Sequence, residues 1–214
     1  MSQHTLTLLR FTYKKLKEKL TVSDSKKLFH ERFPYVIPGL YKRIVDEMLV
    51  ELNLLNHQNE FKQDYLFCIG LTETFKELTK GYKPEKHLDL LFESLCGSSN
   101  FESNEIKEIS QKTLEKFKNK SSKDILRFLK EKSESKPYPS RILNLGIYIL
   151  ISKAQDFKDQ KESEINNMIS DIFENLSLSP NKAEKDIGIY KNSISKLEQA
   201  KELMEELRIK DKKK

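Results

Sequence analysis

Apolar residues recur three and four positions apart along most of the chain, which is the spacing of one face of an α-helix. The clearest amphipathic segment spans residues 38–56, and the most continuously apolar segment spans residues 139–154. No stretch of the sequence alternates apolar and polar residues as a half-buried strand does. The pattern therefore predicts an all-α protein.

Proline and glycine divide this pattern into helices. All six prolines fall where the apolar period is interrupted, because proline is tolerated at a helix start but disrupts a helix interior. Gly81 and Gly97 each follow an apolar segment, in the position of a C-terminal cap. The predicted helices span residues 23–33, 38–56, 63–80, 84–96, 103–119, 123–132, 139–154, 162–176 and 180–209. We expect an all-α chain of about eight or nine helices, with a helical domain over residues 21–178 and a long C-terminal helix with a basic tail over 179–214.

A short apolar motif occurs twice in the chain. Residues 66–71 align with residues 142–147, and the alignment pairs Gly70 with Gly146. Glycine inside a helix costs about 1 kcal/mol relative to alanine, so a glycine there needs a reason such as close packing. We hypothesise an internal repeat of a three-helix unit, with copies at 63–119 and 138–209. Chance similarity between two apolar helices is the alternative.

The last predicted helix carries an apolar seam at three- and four-residue spacing. The seam consists of Ile187, Tyr190, Ile194, Leu197, Lys201, Met204 and Arg208. Because Lys201 and Arg208 interrupt it, the seam is shorter and less regular than a self-standing coiled coil requires. We expect the first half of this helix to pack on the domain and its far end to project.

Positive charge is concentrated at the two ends of the chain. The formal net charge is +6, yet residues 1–20 carry five basic residues against one acidic residue, and residues 208–214 carry the same numbers. We expect residues 1–20 to be a basic N-terminal arm that is disordered or loosely helical. Lysine greatly outnumbers arginine, which argues against nucleic acid as a partner, since base and phosphate recognition favours the arginine fork. Four lysines form a hypothetical contact with an anionic surface: Lys210, Lys212, Lys213 and Lys214.

Motifs of the common enzyme classes do not occur in this sequence. It contains no glycine-rich phosphate loop, nucleophile elbow, HExxH zinc motif or EF-hand loop. Cys68 and Cys96 lie in apolar helical segments and are predicted to be buried thiols. The four histidines are scattered and form no metal-binding spacing. We therefore expect neither catalysis nor a cofactor nor a metal.

One charged cluster stands out, on the predicted helix 38–56. Its members are Arg43, Asp46, Glu47 and Glu51, and the spacing of four places Arg43, Glu47 and Glu51 along one face. Two interpretations remain open at this point. The cluster is a docking stripe for a protein partner, or it is a solvated face whose ion pairs contribute about 0.2–0.5 kcal/mol each.

Two segments have a specific wording: the run that begins Tyr41-x-Arg43-x-x-Asp46-Glu47 and the turn Gly81-Tyr82-Lys83-Pro84-Glu85. Both resemble the thylakoid formation protein family of cyanobacteria and chloroplasts. Further similarity lies at residues 21–27, 41–55, 67–71, 140–147 and 189–193. The resemblance begins near residue 21 and reaches the C-terminus, and residues 98–136 have diverged most.

The resemblance implies an all-helical, non-enzymatic accessory factor. Members of the family act in thylakoid membrane biogenesis and in the assembly and repair of photosystem II, together with the membrane protease FtsH. The implied partners are the FtsH complex and photosystem II components. The implied location is the cyanobacterial cytoplasm, in peripheral contact with the thylakoid membrane. A different class of function also fits the sequence, namely a basic-tailed helical module that binds an anionic membrane surface or nucleic acid directly.

Overall fold

Every regular element in the described part of the chain is helical, as the apolar period predicts. The computed structural model describes residues 19–131, 138–157 and 161–212, so the basic arm lies outside the described residues except for its last two positions. Nine α-helices occupy these ranges. They are α1 (Val22–Arg32), α2 (Gly39–Asn56), α3 (Tyr65–Leu78), α4 (Leu88–Gly97), α5 (Ser103–Phe117), α6 (Ser122–Glu131), α7 (Arg141–Ser152), α8 (Glu162–Asn175) and α9 (Pro180–Lys212).

Side-chain caps explain where several helices begin. The Thr21 hydroxyl accepts a hydrogen bond from the backbone N–H of Asp24, and the Asp24 carboxylate accepts one from the backbone N–H of Thr21, which is a capping box. The side chains of Asp64 and Ser140 accept a single hydrogen bond from the first turns of α3 and α7, at 2.8 and 3.1 Å. These two caps set the helix starts two residues later than the apolar pattern predicts.

The two predicted cap glycines have different roles. Gly81 adopts φ +84°, the left-handed conformation that favours glycine after a helix. Gly97, by contrast, is the last residue of α4 itself, so its predicted role as a cap is wrong. A Cβ atom there would lie 2.3 Å from a guanidinium nitrogen of Arg32, so the small residue makes room for that side chain.

The centre of the molecule is the crossing of α3 and α7. Both helices are buried on nearly every side, as expected of helices that are apolar all round. A Cβ atom on Gly70 would lie 2.0 Å from the carbonyl oxygen of Ile142, and a Cβ atom on Gly146 would lie 2.0 Å from that of Leu66. The contact is therefore reciprocal, with each glycine facing the residue four positions before the other. The structure thus confirms close packing at both glycines, while the proposed internal repeat stays a prediction.

The remaining helices complete one hydrophobic core around this crossing. Helix α5 packs on α3, and α9 packs on α7 and α8. Cys68 and Cys96 are fully buried in this core, as predicted, and burial raises the pKa of each thiol to about 12. They are therefore protonated at neutral pH and behave as small apolar side chains.

The two halves of α9 have opposite environments, as the interrupted seam predicts. In the first half, Ile187, Tyr190 and Leu197 are buried, and the Asp186 carboxylate accepts a hydrogen bond of 2.8 Å from the Asn144 side chain of α7. Beyond Leu197 the apolar side chains turn to solvent. The exposed ones are Leu203, Met204, Leu207 and Ile209.

Enlarging Gly70 should destabilise the fold. In Gly70→Ala the new methyl group meets a backbone oxygen that cannot move aside without shifting α7, so we expect a loss of about 3 kcal/mol or more in the free energy of unfolding. The matched control is Gly188→Ala, because Gly188 lies inside α9 and a Cβ atom added there would have no neighbouring atom within 4 Å. Urea denaturation should show that this control gains up to about 1 kcal/mol. Equal effects of the two substitutions would contradict the close crossing.

Acid should weaken a second link between α3 and α7. The Glu73 carboxylate accepts hydrogen bonds of 2.8 Å from both Lys153 and Lys76. Burial raises the pKa of Glu73, but these two lysines outweigh it and hold the pKa below its ordinary value. The unfolded chain therefore binds the proton more tightly, so the stabilisation is present at neutral pH and is lost as the pH falls below about 4.

The change that tests this link is Glu73→Gln, measured by urea denaturation at pH 7 and pH 3. We expect it to cost about 1 kcal/mol or less at pH 7, because Lys153 is half exposed. At pH 3 the cost should disappear. Glu174→Gln, at an exposed position of α8, is the control and should change little at either pH. An undiminished cost of Glu73→Gln at pH 3 would show that the charge of Glu73 is not what joins the helices.

Candidate docking site

The predicted charged cluster lies on the outer face of α2, where it borders a groove of about 690 Å³. The opposite face of α2 is buried and includes Tyr41, Val45, Met48, Leu49 and Leu52. This burial fixes the rotation of the helix, so the charged residues are held outward. We call the surface formed by Lys26, Arg43, Asp46, Glu47, Val50, Leu54 and Arg141 the α2 groove.

Three of the four predicted residues are accessible at the surface. The Nε of Arg43 donates to Glu47 at 2.8 Å, one helical turn apart, and the Arg43 side chain remains 89% exposed. Asp46 pairs with Lys26 of α1 at 3.9 Å, which is a long and weak contact. This part of the cluster therefore offers charges of both signs to a partner.

Glu51, the fourth predicted residue, has a structural role. Its carboxylate accepts a hydrogen bond from the Nε of Arg141 at 2.8 Å and one from the backbone N–H of Ile142 at 3.1 Å. The second contact places a negative charge at the N-terminus of α7, where free N–H groups and the helix dipole favour it. Glu51 thus joins α2 to α7 and has little of its surface left for a partner.

The electrostatic environment of Glu51 supports the same conclusion. Burial raises the pKa of its carboxyl group, while Arg141 and the Ile142 N–H offset part of that rise. The neighbouring Asp186 carboxylate raises the pKa further. A group in this position is committed to buried partners, whereas the ion pairs of Arg43 and Asp46 lie at the surface.

Sequence reasoning missed four residues of the groove: Lys26, Val50, Leu54 and Arg141. Lys26 and Arg141 come from other helices, and nothing in the spacing of α2 points to them. Leu54 is 53% exposed and lies beside Val50 at the edge of the groove. The sequence did carry a signal for Leu54, because this leucine falls outside the apolar face of its own helix. The groove therefore combines an apolar strip with charged borders.

The hypothetical anionic-surface contact is described only in part. Lys210 is exposed near the end of α9. The side chain of Lys212 is not among those described, and Lys213 and Lys214 lie outside the described residues. The structure therefore places one of these four lysines at a position open to solvent.

Within the described ranges, no group of three or more His, Cys, Asp and Glu side chains is arranged to hold a metal ion. The carboxylates of the α2 groove are instead paired with arginine or lysine. Such an arrangement can bind a complementary surface through ion pairs and apolar contact.

The sequence of this chain matches those of known proteins. A family model described as Thylakoid formation protein matches residues 21–214. Two curated relatives named Protein Thf1 come from Prochlorococcus marinus. The one from strain MIT 9312 is 82% identical over 199 residues, which cover 93% of this chain and 99% of the relative. The one from strain CCMP1986 is 75% identical over 198 residues, with 92% and 98% coverage.

More distant relatives also match over nearly the whole length of this chain. Protein Thf1 of Parasynechococcus marenigrum strain WH8102 is 36% identical over 198 residues and covers 92% of each chain. Among solved structures, that of Psb29 superposes with a TM-score of 0.79 at 26% identity, covering 91% of this chain and 98% of that one. The similarity thus extends over nearly the whole length in both sequence and fold.

Replacing Arg141 should show that the Glu51–Arg141 pair stabilises the fold more than the exposed Arg43–Glu47 pair does. Arg141→Met leaves the Glu51 carboxylate in a mostly buried site with the backbone N–H alone, so we expect a loss of about 2 kcal/mol in the free energy of unfolding. Arg43→Met is the matched control, because the Arg43–Glu47 pair is exposed and should contribute no more than about 0.5 kcal/mol. Urea denaturation measures both, and equal losses would contradict the assignment of Glu51 as an anchor.

Proposed function

The chain belongs to the thylakoid formation protein family, and from this membership we propose that it is an accessory factor without catalytic activity in thylakoid membrane biogenesis. We extend the proposal to the assembly and repair of photosystem II, in association with the FtsH protease complex. In this role the protein binds other proteins rather than transforming a substrate.

The observation that carries the docking part of the proposal is the α2 groove. An exposed leucine beside paired but accessible charges has the composition of a protein interface, in which an apolar centre is bordered by polar groups. The α2 backbone is fixed by its buried face and by the Glu51–Arg141 pair. A rigid surface lowers the entropic cost of binding a partner.

The charges of the groove favour a specific partner over general adhesion. Positive and negative side chains are paired on this surface, Arg43 with Glu47 and Lys26 with Asp46. A partner must present the complementary order of charges, and a mismatched partner places like charges together at a cost. The proposed docking surface is therefore Arg43, Asp46 and Glu47, with Leu54 as its apolar contact.

A peripheral position at the membrane fits this role. None of the helices in the described part of the chain has both the length and the apolar character needed to cross a bilayer. We propose that contact with the thylakoid membrane is peripheral and comes through the protein partners and the lysine-rich end of α9. Each lysine near an anionic leaflet contributes about 1 kcal/mol, which supports reversible attachment.

Reversing the charges of Arg43 and Glu47 in the α2 groove should weaken binding of FtsH. The tagged protein is incubated with solubilised cyanobacterial membranes, and captured proteins are identified by mass spectrometry. We expect FtsH to be captured by the native chain and to be reduced at least about tenfold with the double substitution Arg43→Glu and Glu47→Lys, which keeps an ion pair within α2 but inverts its order.

The matched control inverts the exposed pair Glu108 and Lys112 of α5, which has the same spacing of four residues. Glu108→Lys with Lys112→Glu should capture FtsH as the native chain does. Absence of FtsH with the native chain would overturn the FtsH proposal. Equal capture by the native chain and the α2 variant would exclude the groove as the docking surface. Thermal unfolding of each variant establishes that the folds are intact.

A further inference from the structure

A larger cavity, of about 870 Å³, lies away from the α2 groove, between α3, α4, α5 and the end of α7. Its floor is apolar and largely aromatic. The floor side chains are Phe75, Phe92, Leu114, Phe117 and Leu150. Sites for small molecules are typically of this size, mostly apolar, with a few placed polar groups.

Two hydroxyl groups belong to the wall of this cavity and have no hydrogen-bond partner among the described residues. They are those of Thr72 on α3 and Ser110 on α5, whose residues are only 5% and 1% exposed. An unsatisfied buried hydroxyl costs about 1–3 kcal/mol, so such groups are uncommon without a function. Both oxygen atoms are enclosed by protein atoms, so these hydroxyls are a structural cost beside the cavity and not contacts for a ligand.

The rim of the cavity is rich in lysine. Five lysines line it against three carboxylates, and most of the five already have an acidic partner. Lys107 pairs with Asp89 at 2.8 Å, and Lys118 pairs with Glu115 at 3.4 Å. The other two rim lysines with an acidic partner are Lys76 and Lys153, which share Glu73.

Two lysines at one edge of the mouth form no ion pair with a described residue. One is Lys80, which lines the cavity directly. The other is Lys201 of α9, whose Nζ lies 3.3 Å from the position of a Cβ on Gly81, a residue of the cavity lining. This edge therefore carries two positive side chains with no described carboxylate within ion-pair distance.

We propose that this cavity binds an anionic amphiphile, with a hydrocarbon chain on the phenylalanine floor and a carboxylate or phosphate head group at Lys80 and Lys201. The cavity suits a lipid-like molecule better than a peptide, because a peptide would place many polar backbone groups on the apolar floor.

Calorimetric titration with dodecanoate, below its micelle concentration, tests the proposal on the full chain. We expect saturable binding of one molecule per chain. Acetate has the head group alone and should not bind measurably. The neutral glycerol monoester of the same acid has the chain without the charge and should bind at least about tenfold more weakly. Absence of dodecanoate binding, or equal affinity for the neutral ester, would overturn the proposal.

Substitutions then locate the site. The pair Lys80→Glu and Lys201→Glu should weaken dodecanoate binding by about tenfold or more, whereas Lys196→Glu, an exposed change on the same helix as Lys201, should leave it unchanged. Ser110→Ala should raise the thermal midpoint of the ligand-free protein, because it removes an unsatisfied hydroxyl, and should leave dodecanoate binding unchanged, because that hydroxyl is enclosed by protein atoms. If the Lys80/Lys201 variant binds as tightly as the Lys196 variant, the head group does not lie at this edge and the proposed site is wrong.

Discussion

Contact between the backbones of α3 and α7 is the constraint on which the other helices depend. At Gly70 and Gly146 there is no room for even a methyl group, so the two helices approach more closely than side chains normally permit. Helices this close bury most of their surface against each other and against their neighbours, which explains why both are apolar on nearly every side. The positions of α5 and α9 follow, because each packs directly on one member of this pair.

Polar contacts then attach the outer helices to the central pair at defined points. Glu51 connects α2 to the first turn of α7, and Asn144 connects the middle of α7 to Asp186 of α9. Each of these contacts is mostly buried, so its strength depends on exact placement. The outer face of α2 is therefore held in a fixed relation to the core, and the docking surface is a product of the same packing that stabilises the fold.

The sequence predicts the helices well because helical periodicity, proline placement and capping are local properties. Close packing at Gly70 and at Gly146 was also predictable, since an unexplained glycine in an apolar helix indicates close packing, but the contact of each glycine with the other's helix was not. Glu51 was assigned to the surface cluster because it lies four residues after Glu47, just as Glu47 lies four residues after Arg43. Both spacings place the side chains on the same face of the helix. Its actual partner, Arg141, lies ninety residues away along the chain, and local spacing carries no information about such a contact. Gly97 was misassigned for the same reason, because the side chain that needs the space belongs to α1.

The projecting half of α9 also sets a length scale. From Lys201, whose side chain lies at the mouth of the cavity, to Lys212 the helix extends roughly 16 Å, at 1.5 Å per residue. The screening length in physiological salt is only about 8 Å. The end of α9 is thus separated from the edge of the cavity by about two screening lengths. The lysine-rich end can therefore respond to an anionic surface with little change in the electrostatic potential at the cavity.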